Sequence, residues 1–230
     1  MIFGGFEKFT TIDYPGKVAC IVYTIGCNFR CPYCHNPELV DETVETRILE
    51  QDVLFFLLNR KQMLEGIVIT GGEPTMHGDD LLAFMKKVKD LGFLVKLDTN
   101  GTNPVLLQRA IHEGLVDYVA MDIKAPLSKY SQTVARPVDI DAIRKSIQIL
   151  ISSGVKYEFR TTVVKSLLSP DDFDEIGKEI KGAERYFLQT FIPRKLLNPQ
   201  FMKKVSYSPA EFDMLCKKMG TYVRHCAVRT

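Results

Sequence analysis

Three cysteines carry the clearest chemical signal in this chain. Cys27, Cys31 and Cys34 fall within eight residues at C-x3-C-x2-C spacing, directly after the apolar run 18–25. A loop that leaves a strand with three thiols facing one point reads as a metal site. Structural zinc takes four ligands and commonly gathers them as two C-x2-C pairs. An iron-sulfur cubane is also held by thiolates, one to each iron. Three local cysteines leave one iron open, where a substrate or cofactor could bind. The competing readings are a closed zinc site completed by His35 or a distant cysteine, and three unrelated thiols. Cys20, inside the preceding strand, reads as a small buried hydrophobe. Cys216 and Cys226 are too few to hold a second cluster. His35 abuts the thiols and could either tune a cluster through a sulfur or pack in its loop; His77, His112 and His225 stand alone and read as structural.

Other polar residues become informative through the elements that place them. Residues 18–25, 67–70, 93–97, 118–123, 155–164 and 185–191 read as short buried strands, rich in β-branched and aromatic residues. Helical spacing or caps mark helices over 47–64, 79–91, 104–113, 141–152, from the Ser169 cap to 180, and from Ser208 to about 219. Ser208-Pro209-Ala210-Glu211 matches a capping box with proline at the first helical position. Strands alternating with helices predict parallel βαβ units, hence an α/β fold, a partial (β/α)6 TIM-type barrel. Residues 1–16 form an extension carrying an extra strand or hairpin, and 208–230 a C-terminal helix and tail, with 222–228 able to form a terminal strand. No linker or composition shift divides the chain, so 1–230 reads as one domain.

The polar residues cluster where those strands end. Gly71-Gly72-Glu73 follows the second strand, Asp98-Thr99-Asn100 the third, and Asp122 with Lys124 the fourth. In a βα barrel all these ends open on one face, where active sites are built. Paired glycines let a backbone approach a ligand, or merely form a turn. Glu73 could accept hydrogen bonds from a ligand ammonium. Asp98 and Asp122 could take a ribose, an ammonium or a hard cation, or cap the next helix. Lys124 suits a ligand carboxylate. Arg160, in an otherwise apolar strand, must reach the barrel mouth or pair with a carboxylate, Glu158 being the near one.

Composition excludes several function classes. The chain has 230 residues, 30 basic and 28 acidic side chains, and a net charge of +2, which makes no case for nucleic acid. No apolar run approaches the ~20 residues that span a bilayer, and residues 1–15 lack the pattern of a signal peptide. A cytoplasmic protein without membrane partners is expected. Six cysteines in such a chain point to metal or redox chemistry rather than disulfides.

A carboxylate recogniser, an ammonium recogniser and ribose-binding groups beside an incomplete cluster describe a pocket for S-adenosylmethionine. The chain resembles the radical S-adenosylmethionine superfamily through Cys27, Cys31, Tyr33 and Cys34 and through Gly71-Gly72-Glu73-Pro74. The resemblance implies that the cysteines hold a 4Fe-4S cluster and that the methionyl amine and carboxylate chelate its fourth iron. Reductive cleavage then yields a 5′-deoxyadenosyl radical. Cys31-Pro32-Tyr33-Cys34-His35-Asn36-Pro37, Asp98-Thr99-Asn100-Gly101 and Asp122-Ile123-Lys124 look like the activating enzymes of glycyl radical enzymes. That likeness implies a cofactor site of Tyr33, Asn36, Gly71, Gly72, Glu73, Asp98, Thr99, Asn100, Asp122, Lys124 and Arg160. It also implies a monovalent cation held by Asp98 and Asp122 with Thr99 and the Ala120 carbonyl. Gly4-Gly5-Phe6 through Ile12-Asp13-Tyr14-Pro15-Gly16 is most similar to the anaerobic ribonucleoside-triphosphate reductase activating proteins. The implied partners are that reductase and reduced flavodoxin or ferredoxin. Only about a dozen residues separate Cys34 from the next helix, so no eight-iron ferredoxin module fits there. Pyruvate formate-lyase activases carry a histidine where this chain has Phe191-Ile192-Pro193, which points away from that partner. The alternatives are a small-molecule enzyme such as 7-carboxy-7-deazaguanine synthase, and a non-catalytic iron-sulfur or zinc protein.

Overall fold

A computed structural model describes residues 1–229 and builds them around one nine-stranded sheet. Its strands are β1 (Ile2–Thr10), β2 (Ala19–Thr24), β3 (Ile48–Leu49), β4 (Gly66–Gly71), β5 (Leu94–Thr99), β6 (Tyr118–Asp122), β7 (Lys156–Val163), β8 (Tyr186–Thr190) and β9 (Cys226–Arg229). In space they run β3-β1-β2-β4-β5-β6-β7-β8-β9. Every pairing from β2 to β9 is parallel, whereas β1 is antiparallel to both its neighbours. The sheet does not close, because β3 and β9 are free edges. It is therefore an open, partial barrel, extended by the N-terminal strand and by β9 as a seventh parallel strand. The helices are α1 (Pro37–Val40), α2 (Glu50–Leu58), α3 (Asp79–Asp90), α4 (Pro104–His112), α5 (Tyr130–Val134), α6 (Ile140–Ser152), α7 (Asp172–Glu179) and α8 (Pro209–Met219).

The pleat sorts the strand residues onto two faces. Cys20, Val22, Ile67, Ile69, Val95, Leu97, Val119 and Met121 join the helices in the main core. Each such side chain, fully buried, stabilises the fold by about 2 kcal/mol. On the opposite face, Ile21, Val68 and Tyr118 form a small second cluster with Tyr14. Register places Lys96 between Val68 and Tyr118, Ala120 between Asp98 and Glu158, and Asp122 opposite Arg160. One face of this sheet is thus mainly apolar, with buried threonines Thr24, Thr99 and Thr161 among its core residues, while the other turns from apolar to charged toward the C-terminal ends of its strands.

Two local expectations need correction. The helix expected over 47–64 is only Glu50–Leu58. Ile48 and Leu49 instead pair with Phe3 and Ile2 of β1, and the Met1 ammonium lies 2.5 Å from Glu50. An edge pairing outweighs helical spacing there. Ser169 does not cap α7; it donates from its backbone to Asp172 at 2.7 Å, and the helix starts at Asp172. The capping box at Ser208 and Glu211 forms as expected.

Candidate functional site

A cleft of about 860 Å³, counted to its open mouth, lies where β2, β4, β5, β6 and β7 end. The structure brings to its wall the expected cluster and cofactor residues, Cys27, Cys31, Tyr33, Cys34, Asn36, Gly71, Gly72, Glu73, Asp98, Thr99, Asn100, Asp122, Lys124 and Arg160, whereas Ala120 is not part of the lining. Phe29, His35, Val40, Thr70 and Thr162 complete the lining.

The cysteine loop is pinned at several points. Its start is fixed by Gly26 N–H donating to Leu39 O (2.7 Å) and Glu73 N–H donating to Gly26 O (2.8 Å). Its middle is held by Arg30, whose backbone donates to Val134 O at 2.9 Å and whose guanidinium donates to Cys27 O at 2.6 Å. Its end is held from outside, by Leu197 N–H to Cys34 O and Asn198 N–H to Pro32 O, both 3.0 Å. His35 Nε2 lies 2.8 Å from Ile192 O, and its ring packs on Phe191. That contact occupies Nε2 in loop packing and makes it the donor. Gly72 is a steric requirement of the same junction: a Cβ there would meet Gly26 O at 1.8 Å. The close approach expected of this glycine is therefore to the backbone below the cysteine loop.

Burial pushes the Cys27 thiol up to about 12 and the Cys31 thiol up to about 11, although Lys124 pulls both down. Thiols so placed stay protonated until a metal displaces the protons. Among the described residues no three His, Cys, Asp or Glu side chains group closely enough to hold a single ion. All three thiols line the cleft, where each could serve a separate iron of a cluster. Tyr33 Oη is the one buried side-chain polar atom among the described residues without a hydrogen-bond partner. A buried hydroxyl left in that state costs about 1–3 kcal/mol unless a ligand engages it. The Cys31 sulfur lies beside that hydroxyl and would accept from it as a cluster-bound thiolate, so both features fit a cluster in this cleft.

Beside the thiols runs a line of alternating charge. Lys96 Nζ donates to Asp98 Oδ1 at 2.5 Å, and Arg160 donates to Asp98 Oδ2 at 3.0 Å and to Asp122 Oδ1 at 2.9 Å. Lys124 donates to Asp122 Oδ2 at 2.8 Å. Burial alone would raise both carboxyls, but Arg160 and the lysines outweigh it, holding Asp98 low and bringing Asp122 down to about 2. Arg160 thus reaches the mouth and pairs with carboxylates, though not with Glu158. Glu158 sits deeper, chelated by Arg229 at 2.5 and 2.8 Å and by Tyr118 Oη at 2.6 Å, which ties the edge strand β9 to β7.

Glu73 is buried among neutral donors. Its Oε1 accepts from Thr75 N (3.1 Å), Thr75 Oγ1 (2.6 Å) and Thr99 Oγ1 (2.6 Å), and its Oε2 from Asn100 N (2.6 Å). The carboxylate stitches the end of β4 to the end of β5. Asn100 carries the stitch on, donating to Asn28 Oδ1 in the cysteine loop at 2.8 Å. Sequence reasoning missed Lys96, which is 2 % exposed. The signal was present: a lysine two residues before Asp98 in a buried strand must share its face and needs a partner.

A partial parallel barrel with three free thiols and a charged cleft at its strand ends defines a cluster-dependent enzyme class. The family model of the Radical SAM superfamily matches residues 21–183. A protein of Methanocaldococcus jannaschii, provisionally named a glycyl-radical enzyme activating enzyme, is 34% identical over 235 residues, covering 98% of this chain and 95% of its own length. The pyruvate formate-lyase-activating enzyme of Streptococcus mutans is 33% identical over 196 residues, covering 78% of this chain and 73% of its own. Among solved structures, a radical SAM methyltransferase from Sphaerobacter thermophilus shares the fold at TM-score 0.69 and 16% identity, covering 96% of this chain and 68% of that one. The chain belongs to the radical SAM superfamily, whose members use a 4Fe-4S cluster and S-adenosylmethionine, and its relatives include glycyl-radical enzyme activating enzymes. Among the described residues no helix is long and apolar enough to cross a membrane.

Proposed function

We propose that this chain is an activating enzyme that generates a glycyl radical on a partner enzyme, anaerobic ribonucleoside-triphosphate reductase. The observation that carries the reading is the convergence of Cys27, Cys31 and Cys34 with Asp98, Asp122, Lys124 and Arg160 on one cleft. The thiols would hold three irons of a 4Fe-4S cluster. When bound, that cluster supplies the electron for reductive cleavage of S-adenosylmethionine. The residues around it bind and orient. Arg160 and Lys124 present positive charge to a ligand carboxylate while the aspartates fix their position. Tyr33 Oη, enclosed beside the Cys31 sulfur, is placed to donate to that sulfur once it is a thiolate, and Phe29 and Val40 help to exclude water. Glu73, spent on Thr75, Thr99 and Asn100, supports the wall on which Gly71 and Gly72 lie. The opening stretch from Gly4 to Gly16 favours the reductase as partner, and Phe191-Ile192-Pro193 disfavours pyruvate formate-lyase. Reduced flavodoxin or ferredoxin is the electron donor this reading requires.

Anaerobic reconstitution of the protein is expected to load about four irons per chain, with cleavage of S-adenosylmethionine abolished in Cys31→Ala. Zinc in place of iron, or cleavage retained in the variant, would sink the cluster assignment. Incubating the reduced enzyme with the reductase is expected to give a glycyl EPR doublet. Turnover of a small molecule with no doublet on any glycyl radical enzyme would overturn the partner.

A further inference from the structure

Every oxygen of the acidic pair in the cleft already contacts a protein cation. Asp98 uses Oδ1 for Lys96 and Oδ2 for Arg160, and Asp122 uses Oδ1 for Arg160 and Oδ2 for Lys124. The Thr99 hydroxyl is engaged as well, donating to Glu73 and accepting from Gly101 N at 3.1 Å. A monovalent ion at this pair would lie against a protein ammonium or guanidinium at whichever oxygen it approached and be repelled by it, so these residues do not fit one. Lys96 is the member whose side chain is most deeply placed, 2 % exposed against 12–23 % for the other charged side chains in the line. It rises from one residue level below Asp98 on the same strand face, flanked by Val68 and Tyr118. An ammonium in that position is fixed by the fold and cannot exchange with solvent ions.

We infer that Lys96 is a positioning residue that takes the place of a diffusible monovalent cation beneath the S-adenosylmethionine pocket, acting through Asp98. Charge counting supports the assignment. Three protein cations against two carboxylates leave one positive charge in excess, which a single ligand carboxylate neutralises. Adding a free cation to that set would leave an excess again. Without Lys96 the set is neutral by itself, and a ligand carboxylate would leave it one charge negative until an ion supplied the balance. The deeper carboxylate on the same face, Glu158, does not compete for Lys96, because Arg229 and Tyr118 occupy it.

The inference rests on the cleft binding S-adenosylmethionine, and one experiment separates the two. Affinity for S-adenosylmethionine is measured calorimetrically on the anaerobically reconstituted protein, in KCl, NaCl or choline chloride of equal ionic strength. Wild type is expected to bind equally, within about twofold, in all three salts. Lys96→Met is expected to bind about tenfold or more weaker in choline, and KCl or NaCl is expected to restore most of the loss. The melting temperature of the cluster-free variant should likewise rise on replacing choline by potassium, and that of wild type should not. Wild-type binding that requires potassium or sodium overturns the inference. So does a Lys96→Met variant that binds normally in choline, or one that is weakened without rescue by either ion. Should Lys96→Met not fold, the wild-type salt comparison alone still decides. Absence of binding in every salt would instead remove the S-adenosylmethionine reading itself.

Discussion

Two sets of carboxylates line the same cleft and are held in opposite ways. Glu73 is buried and receives four hydrogen bonds, all from neutral donors. Asp98 and Asp122 contact three cations. Burial raises the carboxyl of Glu73 because uncharged donors do not fully replace water around an anion, whereas Arg160 and the lysines reverse the effect of burial at the aspartates. Glu73 therefore holds backbone, and the aspartates hold charge. Motif position alone would treat both as ligand groups.

The larger effect is expected at the charged set. Asp122→Asn removes one anion and leaves Arg160 and Lys124 sharing an acidic partner fewer. Breaking such a buried pair costs about 3 kcal/mol or more, a drop in melting temperature on the order of 10 °C for a chain of this size. Thermal unfolding of the cluster-free protein checks it, and an unchanged melting temperature would mean that the line of charges is not coupled. Glu73→Gln is expected to cost less, about 2 kcal/mol. Its amide nitrogen must face a donor wherever it points, since both carboxylate oxygens accept. A melting temperature lowered more by Glu73→Gln than by Asp122→Asn would reverse the comparison.

How much of this was legible before the coordinates depends on the range of the physics. The apolar run Ile67-Val68-Ile69 and the turn after it are local, so β4 and its glycines were readable. Alternation of strands and helices then brings the strand ends to one face, and the cleft follows. Non-local pairings were not readable. Ile48-Leu49 becomes β3 only because β1 offers an edge; the terminal strand expected over 222–228 does form, as Cys226–Arg229, but its pairing with β8 and the hold of Glu158 on Arg229 lie beyond local pattern. Hydrogen bonds that bind Glu73 to Thr99 and Asn100 span two strand ends, so a glutamate in a turn motif looked available to a ligand. Cys216 and Cys226, read as too few for a cluster, face each other with sulfurs 3.2 Å apart between α8 and β9, and neither lines the cleft.

The smallest effect discriminates best, because the two sets must respond to pH with opposite sign. Asp122 titrates lower in the fold than its ordinary 3.8. Its contribution to stability is therefore complete above that value and disappears as pH falls toward about 2. Glu73 titrates above its ordinary 4.5. Its contribution is complete below that value and declines as pH rises through the folded-state pKa. Each is one proton, so neither slope exceeds about 1.4 kcal/mol per pH unit. The stability gap between wild type and Asp122→Asn should widen as pH is raised from about 2 to 4. The gap between wild type and Glu73→Gln should narrow as pH is raised above about 4.5. Denaturant titrations of the cluster-free proteins across pH measure both gaps, and two slopes of the same sign would show that neutral donors and cations stabilise these carboxylates alike.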